Sequence, residues 1–211
     1  MPTNDNRARR TASTPERSVD APLVSPMFPA RWSPRAFLSE AVAPASLDAM
    51  FEAARWAPSS YNAQPAPFVY ARTETDLERF LTLFVPRNRR WAAAAPVLVV
   101  CVARSHFADG RPNPHASFDA GAAVMSFCLQ GQLLGVATHV VAAINHEAAY
   151  DLLRVPAHSY QALCAIAVGR RGERHILPAD LQALEHPSPR RPLERVAFEG
   201  TWPPHSVDHS D

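Results

Sequence analysis

The sequence predicts an α/β or α+β sandwich in which helices cover a small sheet. Two continuous apolar runs, "APVLVVCVAR" at 95–104 and "QALCAIAVGR" at 161–170, are typical of buried strands. Segments with the helical spacing of apolar residues alternate with strand-like segments, and this alternation predicts the layered class. Apolar residues make up 47% and charged residues 19% of the 211 residues, a composition typical of one soluble globular domain.

The predicted elements of the first half are, in order, a short helix within 24–34, a helix at 44–57, a strand at 67–72 and a helix at 73–84. The second of these has an amphipathic pattern, with Ser46 as its predicted N-cap. It must end before Pro58, because a residue preceding proline disfavours the helical conformation. The last helix has Thr73 or Thr75 as its cap and acidic residues in its first turn.

The predicted elements of the second half are a buried strand at 95–104, a long helix at 117–135, a strand at 137–144, a helix at 146–155 and a buried strand at 161–170. The long helix is apolar nearly all round, so it is expected to lie centrally or in a subunit interface. Gly135 ends this helix, and Pro156 stops the next one.

The two ends of the chain differ from its middle. Residues 1–22 are polar and aperiodic, which predicts a disordered tail ahead of one domain at 23–211. No apolar run is long enough for a signal segment or a membrane span, so the default location is cytoplasmic. Residues 184–204 are rich in proline and arginine around a short strand-like run, "RVAF", which is expected to wrap a neighbouring molecule.

Charge and cysteine content exclude several function classes. The formal net charge is +1, so the sequence predicts neither a nucleic-acid nor a membrane partner. Cys101, Cys128 and Cys164 each lie in an apolar run without metal-ligand spacing, which predicts buried free thiols and no metal site.

The segment "RWSPRAF" at 31–37 is the first candidate binding motif. Arg31 and Arg35 bracket Ser33, and two guanidinium groups with a hydroxyl are suited to hold a phosphate by charge-assisted hydrogen bonds. The alternative is a solvated arginine pair. Arg190 and Arg191 form a second possible phosphate clamp in the proline-rich C-terminal segment, with surface charge as the alternative.

The segment "WAPSSYNAQPAPF" at 56–68 is the second candidate. Its prolines restrict the loop, while its polar side chains could face the edge of a planar polar ligand. The alternative is a connection whose polar groups satisfy their own backbone. The candidate residues of this loop are Pro58, Ser59, Ser60, Asn62 and Gln64.

No catalytic machinery stands out. Nine histidines are dispersed, no HExxH or GxSxG motif occurs, and Asp119 is interpreted as a favourable charge at a helix start. Asn88 could either bind a heterocycle edge or cap a turn. Phosphate-binding arginines without an acid–base pair are typical of a protein whose cofactor carries the reaction.

Together these motifs resemble the nitroreductase family of FMN-dependent oxidoreductases. The resemblance covers about 29–202 and rests on five segments in order. They are "RWSPRAF", "AARWAPSSYNAQPAPF", "NRRWAAAAPVLVV", "FDAGAAVMSFCLQGQLLGVATH", and the ending "CAIAVGRRGE" with "SPRRPLERVAFEGTW".

The resemblance implies a three-layer α/β/α sandwich around a mixed, mostly antiparallel sheet, and a homodimer with exchanged C-terminal arms. FMN would lie at the subunit interface and carry hydride from NAD(P)H to a small-molecule acceptor such as a nitroaromatic or quinone, in a ping-pong sequence. The loop at 58–64 would reach the flavin of the other subunit. The implied ligands are Arg31, Trp32, Ser33 and Arg35, Asn88 at the flavin edge, Val141, Ala142 and Ala143 along the ring, and Arg190 and Arg191 at the phosphate.

This sequence departs from the family pattern at three places. Ala66 stands where the family usually has tryptophan, Ser126 where it usually has asparagine, and "VVAAIN" at 140–145 where many members have an acidic residue and glycine. Two alternatives therefore stay open. One is a flavin-binding protein with weak or no turnover, and the other is a specialised family branch with another acceptor.

Overall fold

Four strands form one antiparallel sheet in a computed structural model that describes residue 19 and residues 21–202. The strands are β1 (Phe68–Ala71), β2 (Val97–Arg104), β3 (Ala137–Val141) and β4 (Tyr160–Gly169), in the spatial order β1-β2-β4-β3. The predicted N-terminal tail lies outside the described residues apart from 19, 21 and 22.

The sheet is not mixed within the described part of the chain, because each of its three strand pairings is antiparallel. The run "RVAF" does not form the expected strand. A single 3-10 turn spans Leu193–Arg195, and Val196 is 66% exposed. This segment pairs with none of the four strands in the described part of the chain.

Seven α-helices surround the sheet in the described part of the chain. They are α1 (Met27–Ala30), α2 (Pro44–Arg55), α3 (Glu74–Leu81), α4 (Pro86–Ala92), α5 (Ala116–Leu133), α6 (His146–Leu153) and α7 (Ala179–Gln182). The cap predicted at Thr73 is confirmed, since its side chain accepts a hydrogen bond from the Asp76 N–H. The cap predicted at Ser46 is wrong. The helix starts two residues earlier at Pro44, whose fixed φ suits a first helical position.

The sheet separates two apolar cores, as the predicted three-layer arrangement requires. Alternate residues of β2 point to opposite faces, so that Val99 belongs to one core and Val100 to the other. Helices α2 and α5 cover the first face, while α3, α4 and α6 cover the second. The three cysteines are buried and form no disulfide, as predicted. Within 21–202, no helix combines the length and the apolar character needed to cross a bilayer.

Two connections bring distant segments to the β3 side of the sheet. A bridge joins Phe84 to Ile144, so the chain between α3 and α4 runs beside the chain that follows β3. A second bridge joins Phe37 to Arg171, and it lays the 31–37 segment along the chain that leaves β4. The first candidate motif is therefore held at the edge where β3 ends the sheet.

Candidate functional site

A cavity of about 260 Å3 lies between the 31–35 segment, β3 and the chain after α7. We call it the arginine cavity. Guanidinium groups stay charged at any ordinary pH, so the cavity is strongly cationic. Its lining residues are Arg31, Trp32, Ser33, Arg35, His139, Leu184, His186, Ser188 and Arg190. Two motifs that lie more than 150 residues apart in the sequence thus meet in one place, whereas Arg191 is exposed and is not part of this lining.

A buried glutamate fixes the 31–37 segment to the chain after α7. The Glu185 carboxylate accepts hydrogen bonds from the backbone N–H groups of Arg35, at 2.9 and 3.0 Å, and of Ala36, at 3.0 Å. The Arg35 guanidinium donates to the Leu184 carbonyl oxygen at 3.1 Å. These bonds hold two walls of the arginine cavity at a constant separation.

His139 contributes to the arginine cavity from β3, and it was not among the site residues that the sequence predicted. Its Nδ1 lies 2.9 Å from the Pro34 carbonyl oxygen, and its ring stacks on Trp91 with centroids 4.3 Å apart. Burial, together with the nearby Arg35 and Arg31 guanidinium groups, lowers the pKa of His139 to about 4, although its bond to Pro34 opposes this shift. The ring is therefore neutral at pH 7.

Asn88 and the end of β3 form a second group of predicted residues beside this cavity. Asn88 lies in α4, one turn before Trp91, so the two side chains share a helix face. Because Trp91 stacks on His139, that face of α4 runs along β3 toward Val141. Val141 is buried, whereas Ala142 and Ala143 are exposed. The sequence pattern did not indicate α4, and Asn88 was expected in a connection between a helix and a buried strand.

The proline loop, residues 58–67, is not part of this region. It lies next to β1, at the opposite edge of the sheet from β3. Three strand spacings separate the two edges, a distance of roughly 14 Å. A second cavity, of about 370 Å3, lies beside this loop. Its lining includes Pro58, Ser59 and Gln64 of the loop, together with Ala66, Arg104 and Asp119.

The proline loop is held in an unusual backbone conformation. Tyr61, Asn62 and Gln64 have φ values of 53°, 52° and 47°, a left-handed region that non-glycine residues seldom adopt. The Ser59 hydroxyl accepts from the Gln64 N–H at 2.9 Å, and the buried Asp119 carboxylate accepts from the Ser60 N–H at 3.0 Å. Strain that the surroundings stabilise in this way is commonly found at ligand sites.

Asp119 thus has a role beyond the expected charge at a helix start, since it anchors the proline loop to α5. Ala66 lies in the same cavity, so its small side chain leaves open space where an aromatic ring would occupy volume. No group of three or more His, Cys, Asp or Glu side chains within 21–202 is arranged to hold a metal ion.

The sequence profile of the nitroreductase family matches residues 29–88 and 79–170. The chain belongs to the nitroreductase family. The match includes the 31–37 segment, the proline loop and β3, each of which lines part of one of the two cavities. It stops short of Arg190, which joins the arginine cavity from outside the matched residues.

Solved structures share the fold of this member of the nitroreductase family. A protein described as an oxidoreductase containing FMN is 37% identical, with a TM-score of 0.86 over 92% of this chain and 99% of its own. A nitroreductase family protein from Clostridium difficile 630 is 17% identical, with a TM-score of 0.66 over 83% of this chain and 97% of its own, and it supports the fold alone.

A curated relative from Streptomyces coelicolor, named as an NADH dehydrogenase/NAD(P)H nitroreductase, is 31% identical over 103 residues. The alignment covers 49% of this nitroreductase family chain and 51% of the relative, so the chain spans about half the length of the curated relative that it matches.

Proposed function

We propose that this protein is an FMN-dependent NAD(P)H oxidoreductase and that the arginine cavity holds the FMN phosphate. The single observation that carries the proposal is the meeting of Arg31, Ser33, Arg35 and Arg190 around one cavity, because three guanidinium groups and a hydroxyl are suited to hold a phosphate. The FMN in the structure that is 37% identical and the name of the Streptomyces coelicolor relative support the same choice of cofactor and electron donor.

The remaining residues of this edge fit the flavin ring. From the phosphate, the ligand would run along β3, where the three residue steps from His139 to Ala142 span about 10 Å. Its ring would then lie against the backbone of Val141 to Ala143, with the Asn88 amide at its edge. An amide can both donate and accept, which suits the alternating donors and acceptors of a flavin pyrimidine.

The chain contributes position and charge to the reaction. FMN, when bound, supplies the hydride chemistry, taking hydride from NAD(P)H and giving it to an acceptor such as a nitroaromatic or quinone. Arg31, Arg35 and Arg190 neutralise the phosphate, and the short side chains of Ala142 and Ala143 leave the ring face open to both substrates. Donor and acceptor would thus use one face in turn, which gives a ping-pong sequence.

We further propose a homodimer in which the proline loop completes the flavin site of the other subunit. Helix α5 carries an exposed face on which Phe118 is 82% and Met125 is 40% accessible, with Gly121 between them. These residues recur at the i, i+3 and i+7 spacing of one helix face, so a second copy could pack along it. The exposed Leu193, Val196 and Trp202 would form the arm that crosses to the partner. Light scattering should then give twice the 23.1 kDa chain mass.

The experiment combines binding and turnover in the full-length protein. Purified protein is mixed with FMN or with riboflavin, which lacks the phosphate, and binding is followed by quenching of flavin fluorescence. FMN is expected to bind far more tightly than riboflavin. The loaded protein is then mixed with NADH or NADPH in a stopped-flow instrument, and loss of the flavin absorbance is expected.

Each outcome decides one part of the proposal. A protein that binds neither flavin is no flavoprotein. Equal affinity for FMN and riboflavin would show that the arginine cavity does not bind the phosphate. FMN that stays oxidised in excess NAD(P)H would favour the alternative of a flavin-binding protein without turnover.

A further inference from the structure

The His139 ring is fixed in one orientation by two contacts. A carbonyl oxygen only accepts, so the 2.9 Å contact with Pro34 places a proton on Nδ1. Stacking on Trp91 prevents the ring from tilting away. In the neutral ring, Nε2 then carries a lone pair, and it is the ring nitrogen left to meet a ligand in the arginine cavity.

The groups around His139 favour the neutral ring before an anion binds. The charged and titratable side chains that face it come from two segments, Arg31 and Arg35 before α2, and His186 and Arg190 after α7. Trp91 of α4 and Ala167 of β4, its strand partner, bring no charge. The carboxylate of Glu185 is engaged by the backbone of Arg35 and Ala36.

We propose that His139 is a direct ligand of the phosphate bound in the arginine cavity, and that ring and phosphate share one proton. This inference rests on the proposed binding of FMN. A neutral Nε2 offers only a lone pair, and a phosphate dianion offers only lone pairs, so the two atoms repel each other until a proton lies between them. The complex is therefore either imidazolium with phosphate dianion or neutral imidazole with phosphate monoanion, and both contain the same number of protons.

That shared proton must come from solvent at neutral and higher pH. The free ring is neutral there, since the pKa of His139 is about 4. A free phosphate monoester loses its second proton near pH 6. Above that pH the complex holds one proton more than its separated components, so raising the pH weakens binding. The dissociation constant should rise by up to about tenfold per pH unit.

The test measures the dissociation constant of FMN between about pH 6.5 and 8.5, a range in which the arginines keep their charge. Wild-type protein should lose affinity as the pH rises, by up to roughly 100-fold across the range. His139→Gln places an amide N–H where Nε2 lies, and this group donates at every pH, so the variant should bind FMN with little pH dependence. Riboflavin should show no such dependence in either protein.

Two controls keep the inference falsifiable. His186→Gln removes the other histidine of the cavity and should keep the wild-type pH dependence. Calorimetry on unaltered protein, in buffers of different ionisation enthalpy at about pH 8, should show close to one proton taken up per FMN bound and none with riboflavin.

A wild-type affinity that does not change with pH, or FMN binding without proton uptake, would overturn the role of His139 while leaving the flavoprotein proposal intact. Loss of the pH dependence in His186→Gln would show that His186, and not His139, shares the proton with the phosphate. Failure to bind FMN at any pH would overturn both proposals together.

Discussion

Glu185 shows how one buried side chain can fix the shape of the arginine cavity. Its carboxylate takes the backbone N–H groups of Arg35 and Ala36, in the middle of the arginine-rich motif. Buried N–H groups without an acceptor are costly, so this contact favours a single conformation of the 31–37 segment. The Arg35 side chain binds back to the neighbouring Leu184 carbonyl, which makes the connection reciprocal.

Replacing Glu185 by alanine should therefore affect both stability and binding. Two buried N–H groups lose their acceptor, and the free energy of unfolding should fall by about 1–3 kcal/mol. FMN affinity should fall as well, because Arg31 and Arg35 lose their fixed positions. Urea unfolding and FMN titration measure the two effects. Glu78→Ala, at an exposed position of α3, is the control, and an equal result for both variants would contradict the role of Glu185.

At the scale of elements, Gly131 of α5 packs so tightly against Met50 of α2 and the Val136 backbone that it leaves no room for a side chain. A Cβ atom on Gly131 would lie 2.8 Å from Met50 Cε and 2.9 Å from the Val136 carbonyl oxygen. The methionine end can move, but the backbone oxygen is fixed, since Val136 itself donates to the Gly131 carbonyl at 2.8 Å. Only glycine fits at this crossing.

Gly131→Ala should consequently lower the free energy of unfolding by about 1–3 kcal/mol, the usual range for overpacking a core. Thermal and urea unfolding measure this change. Gln132→Ala, one position further along the same helix, tests whether any substitution there is harmful. If Gly131→Ala were as stable as Gln132→Ala, or more stable, position 131 would have room for a side chain and this interpretation would be wrong.

The sequence predicted elements such as β2, β4 and α5, because the residues of each form a clear apolar pattern by themselves. It missed α4, in which charged and polar residues dominate "PRNRRWA" and only Trp91 and Ala92 are buried. Trp91 gains its environment from Phe37 and His139, which are distant in the sequence. His139 escaped notice for the same reason, because neither Pro34 nor Trp91 is a sequence neighbour. Local patterns cannot indicate contacts that exist only after the strands pair.

At the scale of the whole molecule, the predicted site residues divide into two groups. The arginine cavity, Asn88 and the end of β3 lie at one edge of the sheet, and the proline loop lies at the other. A ligand spanning one edge cannot reach the other across roughly 14 Å of sheet. On the proposed dimer, each flavin site would take the first group from one subunit and the second group from its partner.

Two variants that each fail to bind FMN should then recover FMN binding when they form a mixed dimer. Arg31→Glu repels a phosphate, and Asn62→Asp replaces an amide donor by a negative charge while keeping a residue type that tolerates positive φ. In a mixed dimer, one site collects both defects and the other collects neither. Random pairing makes half of the dimers mixed, so about one quarter of all sites should recover full FMN affinity.

The measurement is FMN binding after the two variants are unfolded together and refolded, compared with each variant refolded alone. A site built from a single chain would gain nothing from the mixture. The position of the proline loop at the far edge of the sheet thus has a consequence for genetics. Two alleles that are each inactive, one altered in the arginine cavity and one in the loop, should complement each other in one cell.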